Sequence, residues 1–169
     1  MALTSFYGQL LLKIQDFVKE KLPEIRYCDQ DLGQLDHYQD RPAVSFPCLL
    51  VDFTGTNYDQ MMQMEEMGTA QLTLKLGFAP FSSANSLGPI EVKEKALQYY
   101  EFENILYQTF KGYSADEMMQ PLNRKQDGTQ KRDDVYRVRI IIFETSFFDD
   151  GAVPERDLVD RPIMDFEPQ

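Results

Sequence analysis

The sequence holds one histidine, His37, within Leu35-Asp36-His37-Tyr38, and an imidazole beside a carboxylate is the first pair to test for acid–base or metal chemistry. A metal centre needs three or four ligands drawn together. Asp36, Asp40, Asp52 and Asp59 are the acids that could join it round a divalent ion, but their spacing matches no calcium-binding loop. Solvated loop acids are the plainer reading. Cys28 and Cys48 lack Cys-x-x-Cys spacing and sit in apolar, strand-like contexts. Two reduced, buried thiols are expected; a disulfide is the alternative, with no secretory signal to motivate it. No Gly-x-Ser-x-Gly elbow is present, and Gly55 and Gly68 are isolated rather than part of a phosphate-binding loop. Glu65-Glu66 lies in a polar stretch without the burial that would tune an acid–base couple. These residues predict no reaction: no enzyme, no cofactor and no metal.

Charge is the second place to look. Arg124, Lys125, Lys131 and Arg132, beside Asp127, Asp133 and Asp134, form the one basic concentration in a chain of net charge -11. Gripping nucleic acid needs clustered Lys and Arg over a broad surface, so an acidic chain is expected to have no specific nucleic-acid partner. The basic cluster reads either as a solvated turn or as a contact for an acidic protein surface.

The elements that position these residues follow from periodicity. At 169 residues and 43% hydrophobic content, the chain suits one compact domain with a real core. Met-Ala-Leu-Thr-Ser has no basic region before an apolar run, and no stretch is long enough to span a bilayer, so a cytoplasmic protein without a membrane partner is expected. Thr4 to Leu22 predicts a helix, with Phe6, Leu10, Ile14, Phe17 and Val18 as its core stripe, Thr4 or Ser5 as cap and Pro23 as stop. Glu24 to Asp29 predicts a short strand, Leu32 to Pro42 a loop, and Phe46 to Phe53 a buried strand. Gly68 to Phe78 alternates cleanly, with Ala70, Leu72, Leu74, Leu76 and Phe78 on one face and Gln71, Thr73 and Lys75 on the other. Thr56 to Met67, carrying Met61, Met62, Met64 and Met67, reads as a linker too long for a tight hairpin. Its methionines are a flexible partner-binding surface or core filler. Ile90 to Phe110 predicts a second helix, with a stripe through Val92, Tyr99, Phe102, Ile105, Leu106 and Phe110 and Gly112 as its stop.

Met118 to Phe148 reads as one long hairpin whose turn is Asp127-Gly128, with Pro121 restricting the incoming arm to a sheet edge. In the returning arm, Tyr136, Val138, Ile140 and Ile142 share one face; Arg137 and Arg139, then Ile141 and Phe143, share the other. The arginine half of that second row is expected to face water, and the far half to be covered on both faces, as in a central strand. The expected fold is therefore α+β: a mixed, mainly antiparallel sheet of four to five strands, two helices and a long C-terminal β-hairpin. Residues 1–150 form the domain. Residues 151–169, with Pro154, Pro162, Pro168 and many acids, form an extended acidic tail whose Leu158, Val159, Ile163, Met164 and Phe166 can dock on a neighbour.

This order of elements resembles the tail terminator (tail-completion) proteins of long-tailed bacteriophages and prophages. The likeness rests on Leu22-Pro23-Glu24-Ile25 after an amphipathic helix, and on Arg41-Pro42 before Phe46-Pro47-Cys48-Leu49-Leu50-Val51. It rests further on Leu122-Asn123-Arg124 and on Phe143-Glu144-Thr145-Ser146-Phe147-Phe148-Asp149. It covers most of residues 1–150 and omits the Met-rich stretch and the tail. The resemblance implies a homo-oligomeric ring, commonly a hexamer, that caps the finished tail tube and meets the head connector. Its place would be the host cytoplasm during assembly, then the virion tail or neck. On that reading, Arg124, Lys125, Lys131 and Arg132 are expected at the subunit interface, opposite Asp149, Asp150, Asp157 and Asp160 of a neighbouring copy. The competing readings are another head–tail connector or neck protein of the same particle, or a small acidic enzyme with a deep pocket around His37.

Overall fold

The sheet is built around its most regular strand. In the computed structural model, which describes residues 5–37, 44–61, 65–79 and 84–149, five strands take the order β1-β2-β3-β5-β4. They are β1 (Tyr27–Gln30), β2 (Cys48–Gln60), β3 (Glu66–Phe78), β4 (Asn123–Gln130) and β5 (Arg137–Asp149). β1 and β2 are parallel and every other pair is antiparallel. The mixed α+β sheet expected from the sequence is present, and the C-terminal strand β5 is an interior strand, flanked by β3 and β4.

One face of the sheet is packed with helices. α1 (Phe6–Lys21) buries Leu10, Ile14 and Val18 at its spacing of four, and α2 (Ile90–Phe110) buries Ala96, Glu103, Leu106 and Phe110. Ser5 occupies the N-cap of α1, although its side chain makes no capping bond. Gly112, at φ +74°, turns the chain just beyond α2, a conformation that favours glycine. Leu49, Val51, Ala70, Leu72, Leu74, Leu76, Ile141, Phe143 and Phe147 meet these helices from the sheet. Each fully buried large side chain contributes about 1.5–3 kcal/mol over exposure, so this layer dominates folding.

Among the described residues the opposite face is covered only at one end. Leu35, Val44 and Phe46 lie over Cys48, Leu50 and Val138, beside Tyr27 and Ile140. Cys48 belongs to this second cluster, while Cys28 packs against the helix-side core. The two cysteines are free, as expected, and being on opposite faces of the sheet they cannot bridge. Burial pushes both thiols up to about 12.

Four expectations are corrected. The Asp127-Gly128 pair makes no turn: both residues lie inside β4, paired with Ile141 and Ile140, and the chain reverses through residues 131–136 instead. The stretch from Thr56 to Met67 is mostly strand, because β2 and β3 stay paired out to Gln60 and Glu66, leaving a connection of residues 61–65. Within it Met62 and Met64 lie outside the described residues, Met61 is exposed and Met67 is half-buried. Val92 and Ile105 of α2 face solvent rather than the core. Finally, the arginine row of β5 lies beneath α2, and the apolar row, Val138, Ile140 and Ile142, lies on the helix-free face.

Candidate assembly surface

The arginine row is half-buried beneath α2, which supplies partners for it. Arg139 meets the buried Glu103 through two hydrogen bonds, donating from Nε and Nη2 at 2.6 and 2.7 Å. It also donates to Thr129 of β4. Stacking adds to this: Arg124 lies 3.6 Å from the Tyr107 ring centre, Arg137 5.0 Å from Tyr99 and Arg139 5.3 Å from Tyr100. Guanidinium planes over tyrosine faces thus fasten the β4–β5 hairpin to one side of α2. A polar cleft of about 210 Å³ results, lined by Tyr100, Glu103, Asn104, Arg124, Asp127 and Arg139. Its charges oppose one another, Arg124 with Asp127 at 3.5 Å and Arg139 with Glu103 and Asp127. The Glu103 hydrogen bond chiefly raises the Arg139 guanidinium above its ordinary range. Every charged group lining the cleft is engaged with an opposite charge, which makes the cleft a clasp between α2 and the hairpin.

A second set of ion pairs straps the loop after β1 to the helix-free face. Lys75 of β3 reaches Asp31 at 2.5 Å, and that carboxylate is nearly buried. Arg132, its side chain 8% exposed, binds Asp36 at 2.7 Å, Asp134 at 2.5 Å and the Leu35 carbonyl. The Arg132 hydrogen bond holds the Asp134 carboxyl below its usual range. At Asp36 burial works upward, but hydrogen bonds from Arg132 and Gln130 outweigh it and the carboxyl is lowered. Both acids are therefore ionised partners of a fixed arginine, and His37 beside them is exposed. Among the described residues no three histidine, cysteine or acidic side chains gather where they could hold a metal, and no helix is long and apolar enough to cross a membrane.

The residues expected at an interface are distributed unevenly. Arg124 and Lys125 are exposed on β4, Lys125 pairing with Glu144 of β5 at 2.7 Å. Lys131 is exposed at the start of the β4–β5 loop. Arg132 is the one drawn inward, as the strap described above. Asp149 ends β5 opposite Glu66. Asp40, Asp150, Asp157 and Asp160 lie outside the described residues, as does the tail. Sequence reasoning missed Glu103, Tyr99, Tyr100 and Tyr107 as receivers of the arginines. Their helical spacing round the flank of α2 was the available cue.

What remains open for contact is the rest of the sheet. β4 is an edge strand along all 8 residues. β1 covers β2 only from Cys48 to Val51, so among the described residues no strand pairs with the outer side of Asp52–Gln60. On the helix-free face, beyond the loop, lie Thr54 and Thr73, their hydroxyls 3.0 Å apart, and Ile142, which floors a dent of about 210 Å³ beside Gly128. Unpaired edges and a half-covered sheet, among the described residues, are the kind of surface on which another chain can pair or pack.

No protein-family model matches this sequence, and no curated protein matches it. Among solved structures, the fold is similar to that of a chain in the virion of a native gene transfer agent (GTA) particle. The TM-score is 0.50 at 8% sequence identity, covering 87% of this chain and 100% of that one. At that identity the two share a fold.

Proposed function

We propose that this chain is a structural protein of a phage-like virion, and that within it the chain acts as a tail terminator: a homo-oligomeric ring that closes the tail tube and meets the head connector. The observation that supports the virion part of this reading is the fold likeness to a virion chain over that chain's whole length; the terminator part comes from the resemblance in sequence. The surface supports it. Among the described residues the ionisable clusters are paired internally, while two stretches of sheet edge and part of one sheet face have nothing set against them. Arg124, Lys125 and Lys131 on the hairpin, facing Asp149, Asp150, Asp157 and Asp160 of a neighbour, remain the proposed charged contacts. Arg132 would take part only by giving up its present partners. The test is electron microscopy of particles assembled without the protein. Tails of ragged, excess length support a terminator; complete tails unattached to filled heads refute it in favour of a neck protein.

A further inference from the structure

The two open edges of the sheet have matching direction, length and face. β2 is antiparallel to β3, β3 to β5 and β5 to β4, so β4 runs antiparallel to β2. A neighbouring copy set beside the first in the same orientation, helices on the same side, therefore brings the outer edge of its β2 against β4 as an antiparallel pair. The lengths agree: β4 has 8 residues, and the uncovered part of β2 runs from Asp52 to Gln60. We propose that a second copy of this chain pairs its β2 edge with β4, so that one sheet continues from subunit to subunit. This deepens the ring reading above and rests on it.

The pleat selects a register. Gly128 and Gln126 pair with Ile140 and Ile142 and share their helix-free face, while Asp127 pairs with Ile141 towards the helices. Gly55 and Asn57 pair with Gln71 and Thr69 on the helix-free face, and Thr56, with Ala70, points towards α1. Setting Gly128 opposite Gly55 then brings Asp127 to Thr56 and Gln126 to Asn57, every pair on its proper face. Each strand carries a register shift, between Arg124 and Gln126 and between Phe53 and Gly55, near the ends of this match. Lys125, on the helix-free face with Glu144, comes beside Asp59, and Arg124 comes beside Tyr58; for these two residues the edge pairing replaces the contact with a neighbour's Asp149.

Neither glycine is demanded by crowding or by a left-handed backbone, although Gly55 adjoins the bulge after Phe53, itself a common place for glycine. An added Cβ at Gly55 or Gly128 meets nothing within 4 Å, and neither has a positive φ. Glycine inside a strand often marks the close approach of another backbone, which is what the second copy provides. Within one copy Gln126 lies level with Asp52, through Ile142 and Thr73. Meeting Asn57 thus slides each copy by about five residues across the four strands from β2 to β4, roughly one residue per strand, as in closed sheets whose strands tilt by about 36°. A head-to-tail contact with such a stagger can close into a ring.

The test is disulfide trapping in the full chain. Asn57→Cys and Gln126→Cys together are expected to give, on mild oxidation, a ladder of covalent multimers. Mixing the two single variants should give dimers, while each alone stays uncrosslinked. Thr56→Cys with Asp127→Cys, on the helix side of the same register, should behave alike, and Asn57→Cys with Thr129→Cys should not crosslink. Of the native thiols Cys48 is fully buried and Cys28 half-buried, and each single variant alone controls for crosslinking through them. A ring seen by native mass in which neither matched pair crosslinks overturns the edge pairing and leaves the ring standing. A strict monomer, alone and with the tail-tube protein, overturns both.

Discussion

Removing the carboxylate of Glu103 tests how the hairpin is held. Glu103 and Arg139 are 10% and 11% exposed at their side chains and share two short hydrogen bonds. Breaking a buried pair by deleting one partner leaves an uncompensated charge and costs about 3–5 kcal/mol. Here Asp127 stays 3.6 Å from Arg139 and Thr129 still accepts from it, which keeps Glu103→Ala near the lower end, about 3 kcal/mol. At about 2–4 °C per kcal/mol for a chain of this size, the melting temperature should fall by roughly 6–12 °C. Replacing the pair by apolar groups, Glu103→Leu with Arg139→Met, removes both charges, so the double variant should recover most of that loss. Urea and thermal unfolding of the wild type, the single variant and the double variant measure all three. If Glu103→Ala unfolds within about 0.5 kcal/mol of wild type, or the double variant is as unstable as the single, the clasp is not what fastens the hairpin to α2.

Other perturbations follow from the same contacts. Asp36 and Asp134 have lowered carboxyl pKa values in the folded state, so their contribution to stability is complete above the ordinary carboxylate range. It is lost as pH falls through their folded values, below about pH 4. Arg132→Gln should flatten that acid-side loss in stability measured from pH 6 to 2.5; an unchanged slope would refute the assignment. Gly68→Ala places a Cβ 2.5 Å from the Phe147 ring, which is itself stacked on Phe6, and should destabilise by about 1–3 kcal/mol in urea. Native Cys48, with no exposed surface and a thiol pushed up to about 12, should resist a maleimide at pH 8 and react on unfolding.

How far the sequence could be read depends on whether burial leaves a period in it. α1 and β3 each pack one face on the core, and their residues repeat at four and at two, so both were legible almost to the residue. β4 has no buried residue, hence no apolar alternation, and Asp127-Gly128 stood out as a turn although each pairs with β5. The true reversal is shaped by Arg132 reaching Asp134, Asp36 and the Leu35 carbonyl, the last two nearly a hundred residues away in sequence. Periodicity in β5 separated the arginine row from the apolar row but could not say which one a helix would cover. Glu103 and three tyrosines decided that, from an element that sequence alone does not place over the strand. The open edges were likewise invisible, because strand order is a long-range property.

A ring requires, before anything else, that the chain associate with itself. Native mass spectrometry of the full chain over a range of concentrations, alone and with the tail-tube protein, measures this directly. A single closed multimer, stable on its own or formed on the tube, is the predicted result. A chain that stays monomeric throughout, and binds no tube, would contradict it.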